Sequence, residues 1–343
     1  MNWLADIRTV RPGREEAGMV LALGRRALVG LQASAMLARA ARAQGLDRTV
    51  RMLVGFPPGG AADIVARIYA ERLRGGFAQQ VVVENRPGAA ARIALEAAKA
   101  AVPDGSTLVF TPESMLTIYP HIYPRTLRYD GSKDFVPGGA TSSFGFAFIV
   151  APNHPAKDFA SFVQWARTQR DVSYASPAAG SMPHFVAEQM SRKLDLRLMH
   201  VAYRGTGPAM PDLATGRLSG IMGVIGDMGE QHRAGHVRVL AITSPKRVAS
   251  LPDVPTFAEL GHAELTSEEL YTILLPAGAP APVVEALERA IAAASANPEL
   301  RAALAKMEQT PATLGSRGMA ERIASERDRW GPIVRDTGYT AEE

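Results

Sequence analysis

The chain has 343 residues, no cysteine and a formal net charge of +4. That length is enough for two domains and more than one core, and the lack of cysteine excludes disulfides, thiolate metal sites and a cysteine nucleophile. The basic excess sits in residues 1–43, which hold seven arginines against three acids; the remainder balances at 31 of each, without the basic, aromatic-interleaved patch of a nucleic-acid binder.

In chain order, Arg25-Arg26 precede a mostly apolar run, Ala27 to Ala38, and Ala41-Arg42-Ala43 then forms a small-x-small site before Gln44. Residues 1–43 read as a secretory signal, with translation beginning at Met19 and the mature chain at Gln44. The apolar run is too short to span a bilayer. The competing reading is a folded N-terminal helix.

Beyond it, apolar runs alternate with helical patterns. Strands are expected at 51–56, 80–84, 107–111, 145–151, 172–176, 198–202, 220–225, 237–243 and 270–275. Helices are expected at 61–75, 90–101, 158–169, 182–193, 207–215, 227–234, 255–261, 281–295, 298–307 and 316–335. Asn297-Pro298 supplies a cap and a first-turn proline. This alternation implies an α/β protein with mostly parallel sheets.

The first strand stops at Phe56-Pro57-Pro58-Gly59-Gly60, and a helix follows with Ile64, Val65, Ile68, Tyr69 and Leu73 on one face. Gly59 and Gly60 let backbone approach a bound group closely. The free N–H groups at the helix start, from Ala61 on, suit an anion. Similar loops follow other strands: Thr111 to Ser114, Ser176 to Ser181 through Gly180 and before His184, and Tyr203 to Thr206. In parallel sheets ligands bind at such carboxyl ends. The hydroxyls of Thr111, Ser114, Ser176, Ser181 and Thr206 add neutral donors, although each alone reads first as a helix cap. Asp63 reads mainly as a residue that fixes its loop, and Tyr203 as either a cleft wall or core.

No G-x-S-x-G, G-x-x-x-x-G-K-[ST] or H-E-x-x-H signature occurs. His232 and His236 stand at helical spacing, but Gly235 intervenes and no further ligand follows, so they read as surface residues near a helix end. Nothing calls for a metal or cofactor, and no nucleophile–base pair marks an enzyme.

The stretch Phe56 to Arg67 resembles the signature of the Bug-type solute receptors of the tripartite tricarboxylate transporter family, with Gly55 replacing a proline. Further matches follow in order: Val82 to Gly88, Pro103 to Leu108, Tyr174-Ala175-Ser176 with Gly180-Ser181 and His184, His200 to Gly205, Val239 to Ser244, Leu251 to Thr256 and Pro276 to Pro280. The resemblance covers about 48–336. It implies a type II periplasmic-binding-protein fold: domain one at 48–146 plus 277–343, domain two at 147–276, two crossover strands, and a ligand cleft between the domains. It implies a monomeric periplasmic receptor that delivers a small organic anion (a carboxylate, dicarboxylate or amino acid) to membrane permease subunits; the alternative is a sensory protein. The ligand contacts would be Phe56, Pro57, Gly59, Gly60, Ala61, Asp63, Thr111, Ser114, Ser176, Gly180, Ser181, His184 and Tyr203. The chain departs from the pattern at Ala89-Ala90-Ala91-Arg92, at Pro177-Ala178-Ala179, at Met222-Gly223 and at Leu270. Glu113 and Arg92 are expected to bring new charges near the cleft.

Overall fold

The alternating apolar and amphipathic segments build two β-sheets with helices packed against them. The computed structural model describes residues 46–339 and Ala341; the signal segment expected at 1–43 and its cleavage site lie outside these.

The first sheet holds β1 (Leu46–Val54), β2 (Ala78–Asn85), β3 (Thr107–Pro112), β4 (Phe135–Phe144), β10 (Glu269–Pro276) and β11 (Thr310–Pro311), in the order β11-β4-β10-β3-β1-β2. The second holds β5 (Phe146–Val150), β6 (Val172–Ser176), β7 (Leu198–Ala202), β8 (Gly220–Val224) and β9 (Arg238–Ile242), in the order β7-β6-β8-β5-β9. The helices are α1 (Ala61–Leu73), α2 (Arg92–Lys99), α3 (Ser114–Thr117), α4 (Tyr119–Ile122), α5 (Phe159–Thr168), α6 (Met182–Lys193), α7 (Met210–Ala214), α8 (Ile225–Arg233), α9 (Ala281–Ala296), α10 (Pro298–Lys306) and α11 (Ser316–Thr337).

The sheets are mixed, which corrects the expectation of mostly parallel pairing. β1 pairs parallel with β2 and β3, and β6 with β7 and β8. The strands next to the two crossings run the other way: β5 against β8 and β9, β10 against β3 and β4. The chain leaves the first sheet through Gly145 alone, so β5 enters without a helical crossover to reverse it. Strand 269–276, placed at the end of domain two from the sequence, pairs wholly within the first sheet. All eight of its residues are buried, as a central strand covered on both faces requires.

β4 was not expected, because Pro137-Gly138-Gly139 reads as a turn. Packing explains the glycines. A Cβ on Gly138 would lie 2.4 Å from Leu287 Cδ2 of α9, and Gly139 has φ +142 beside Leu314 and Gly315. The expected helix at 255–261 is a single turn. Thr256 and Glu259 cap each other reciprocally, Glu259 N–H to Thr256 Oγ1 at 3.1 Å and Thr256 N–H to Glu259 Oε2 at 2.8 Å. Gly261, at φ +86, then ends the turn.

Helix α1 buries Val65, Tyr69 and Leu73, and the Tyr69 hydroxyl ties it to Thr141 O of β4 and, at 2.9 Å, to Ser295 Oγ of α9. Ile64, expected on this face, is 38% exposed on the other side. Ala89, Ala90 and Ala91 have φ of 44°, 52° and 69°, a left-handed run that costs alanine about 1–2 kcal/mol per residue relative to glycine. Ala91 also explains Gly55: a Cβ there would lie 2.4 Å from the Ala91 Cβ.

Candidate functional site

A cavity of about 650 Å³ opens where loops from both sheets converge. It is lined by loops after β1 (Phe56 to Ala62), β3 (Ser114, Met115), β6 (Pro177, Ser181), β7 (Arg204 to Pro208) and β8 (Gly226 to Met228), all at carboxyl ends of strands. Its floor is aromatic and comes from the crossover strands: Phe144 and Tyr271 stack with centroids 4.2 Å apart, and Phe146 meets Phe144 edge-on at 5.7 Å. Ile64, turned away from the core, lines the same space.

Of the residues expected to contact ligand, Phe56, Pro57, Gly59, Gly60, Ala61, Ser114 and Ser181 line this cavity. Gly59, at φ +84, turns the chain, whereas Gly60 has ordinary extended angles and open space beyond Pro57 O at 3.8 Å. The Gly60 α-carbon is therefore bare toward the cavity for a reason other than backbone conformation.

The other expected residues lie behind the wall and hold it. Asp63 Oδ2 accepts from the Gly59 N–H at 2.9 Å and binds Arg67 and Asn85. Burial works to raise its pKa, but these partners outweigh burial and hold the carboxyl below the usual range. Thr111 Oγ1 donates to Pro112 O at 3.2 Å. Gly180 N–H donates to Nδ1 of the buried His184, and Ser176 Oγ bonds His200 Nε2 at 2.8 Å and Ala178 O at 3.0 Å. His184 and His200 stack at 3.9 Å, and burial pushes His200 down to about 3, so the pair braces the β6–α6 loop with His200 as a neutral ring. Tyr203 donates to Asp212 Oδ2 at 2.5 Å and lines a second cavity of about 280 Å³, together with Arg92.

The capping expectation fails for these hydroxyls. Ser181 and Thr206 occupy cap positions, yet neither side chain caps. Ser181 Oγ turns back to Ala178 O at 2.6 Å. Thr206 Oγ1 and Ser114 Oγ are buried and lack a hydrogen-bond partner among the described residues. Both belong to residues lining the cavity, the setting in which a bound ligand satisfies such groups.

Of the two new charges, Glu113 stays out of the cavity, whereas Arg92 lines the adjoining smaller one. Glu113 is buried outside the cavity, gripped by Arg322 through Nε at 2.7 Å and Nη2 at 2.6 Å. Arg92 lies over the Tyr123 ring at 4.0 Å. Three other carboxyls line the cavity: Glu269, Asp227 and the exposed Glu230. Glu269 Oε1 accepts from the Ser114 N–H at 2.9 Å, and burial pushes its pKa up to about 8. Asp227, at the start of α8, faces the Ala61 N–H and lies beside the Thr206 hydroxyl; burial pushes its pKa up to about 6 against the lowering effect of these neighbours. In sequence, Asp227 reads as an ordinary first-turn acid and Glu269 as the flank of a strand, so neither stands out. The lysine and arginine of the lining, Lys306 and Arg204, are exposed.

Comparison with known proteins places the chain in a defined company. The model of the tripartite tricarboxylate transporter family receptor matches residues 65–339. A protein from the tcbD-tcbE intergenic region of Pseudomonas sp. strain P51 is 32% identical over 320 residues, 91% of this chain and 94% of its own length. Protein BugT of Bordetella pertussis is 30% identical over 293 residues, 85% and 90% of the two chains. The solved periplasmic binding protein BugD aligns with TM-score 0.81 and 26% identity over 86% of this chain and 99% of its own. MatC of Rhodopseudomonas palustris, solved with malate, gives 0.78 and 26% over 84% and 99%. A second R. palustris protein, solved with adipate, gives 0.80 and 27% over 85% and 97%.

Proposed function

The chain belongs to the tripartite tricarboxylate transporter receptor family, and we propose that it is a periplasmic receptor that captures a small organic acid and delivers it to membrane permease subunits. The observation that carries this reading is the cavity itself. It sits at the carboxyl ends of strands from both sheets, and it offers the N-terminus of α1 and two buried hydroxyls without a hydrogen-bond partner among the described residues. Malate and adipate in the two R. palustris relatives support a ligand of that size.

Function then follows from closure. We divide the chain at Gly145 and at 266–268, with 46–144 plus 269–339 as one domain and 146–265 as the other. Thr243 binds both crossings: Phe146 N–H donates to Thr243 Oγ1 at 2.8 Å, and that hydroxyl donates to Ser267 O at 2.7 Å. A ligand touching both domains favours the closed state by its difference in affinity for the two states. The receptor acts as a monomer, and its work is binding and release.

A thermal-shift screen of monocarboxylates, dicarboxylates, amino acids and aromatic acids tests the reading. A binder at about 100 times its Kd adds roughly 2.7 kcal/mol. Silence across the whole screen would overturn it. Export is tested separately: the N-terminus of the protein in the periplasmic fraction should lie near Gln44.

A further inference from the structure

The cleft holds an apparent contradiction. Backbone donors at helix starts suit ligand carboxylates, yet two of those places are already faced by carboxyls of the protein. Glu269, 2% exposed, takes the Ser114 N–H, and Asp227 faces the Ala61 N–H. Beside each stands one of the unsatisfied hydroxyls, Ser114 with Glu269 and Thr206 with Asp227. Among the described residues the lining offers no buried cation to balance them: Arg204 and Lys306 are exposed, and the nearby guanidinium of Arg322 is held in a fork by Glu113.

We propose that the interior of this cavity receives a nitrogen that donates hydrogen bonds, an ammonium or a carboxamide NH2, against Asp227 and Glu269, so that the ligand is an amino or amide acid with a single carboxylate. The proposal rests on the receptor reading above and refines it. A dicarboxylate would bring a second negative charge against the half-buried Asp227 carboxylate and would hold Glu269 protonated, and like charges close together are unfavourable. A nitrogen donor reverses the sign at both. The hydroxyls of Ser114 and Thr206 complete the cage, since each can accept an N–H as readily as donate. The aromatic floor of Phe144, Phe146 and Tyr271 covers the ligand's apolar body, and the N-terminus of α6, next to Ser181 and Pro183 of the lining, remains for its carboxylate. Burial raises the pKa of both carboxyls; an ammonium bound against Glu269 lowers it again, so its binding at neutral pH releases a proton from Glu269.

The test is calorimetry on matched triples, each comprising a dicarboxylate, its monoamide and the corresponding amino acid. One triple is adipate, adipamate and 6-aminohexanoate; others span three to eight carbons, and one is aromatic. The expected result is a preference of at least about tenfold for the nitrogen-bearing members of the best triple, with heat that varies with buffer ionisation enthalpy for the amino acid. Asp227→Asn and Glu269→Gln, checked by melting to be folded, should each shrink that preference, and the double variant should bring dicarboxylate and amino acid within a few-fold. A wild-type preference for dicarboxylates, or a preference unchanged in both variants, would overturn the proposal and leave the receptor reading standing. Silence across every triple would overturn both.

Discussion

Replacing Glu269 by glutamine should alter how stability depends on pH, by an amount the structure sets. The carboxyl is buried, and its pKa rises from 4.5 in the unfolded chain to about 8 in the fold. Below the lower value it is protonated in both states and contributes nothing to the pH dependence. Between the two values only the unfolded chain releases the proton, so stability falls as pH rises, and the loss is complete above the upper value. At about 1.36 kcal/mol per pH unit, the full span gives about 5 kcal/mol, a ceiling because structure and water relax around an ionised group. Glutamine keeps an oxygen for the Ser114 N–H, now 2.9 Å from Glu269 Oε1, and cannot ionise. Urea unfolding of both proteins from pH 5 to pH 8 should therefore show the wild type losing up to about 4 kcal/mol more than Glu269→Gln. Parallel curves would refute the reasoning, because they would mean that Glu269 titrates alike in both states. The same difference should vanish below pH 4, which separates this carboxyl from the others titrating in that range.

Gly60→Val should leave the melting temperature nearly unchanged, since its Cβ has open space and its angles suit any residue, while weakening binding of a screened ligand at least tenfold; unchanged affinity by calorimetry would remove loop one from the site. Ala90→Gly should stabilise the fold by about 1 kcal/mol by relieving a left-handed alanine at φ 52°, and a lower unfolding midpoint in urea would contradict the strain. Thr243→Val should cost about 1–3 kcal/mol, because Phe146 N–H and Ser267 O lose their shared buried partner; no loss would mean the crossings are held elsewhere. Ligand should reduce the radius of gyration in solution scattering as the domains close about these crossings, whereas tight binding with unchanged scattering would indicate a receptor already closed without ligand.

The sequence by itself determined the local architecture. Runs of period two and 3.6 place β1, β3, β6, β7 and β8 and the helices after all of these but β3, because that periodicity is written in consecutive residues; the short helices Ser114–Thr117 and Tyr119–Ile122 were not expected. The Asn297 cap, which accepts from the Leu300 N–H at 3.0 Å, was legible for the same reason, and so was the Phe56–Ala61 loop. Where a glycine or proline serves a distant neighbour, the local reading fails. Gly138 and Gly139 look like a turn and are a strand, because Leu287 needs the room beside Gly138 and Gly139 runs at φ +142 against Leu314 and Gly315. The site divides along the same line. Its backbone donors were readable as helix starts, but the carboxyls facing them were not. Glu269 meets Ser114 across 155 residues of chain, and only that long-range burial decides whether it is a surface charge or a neutral acid in a ligand cavity.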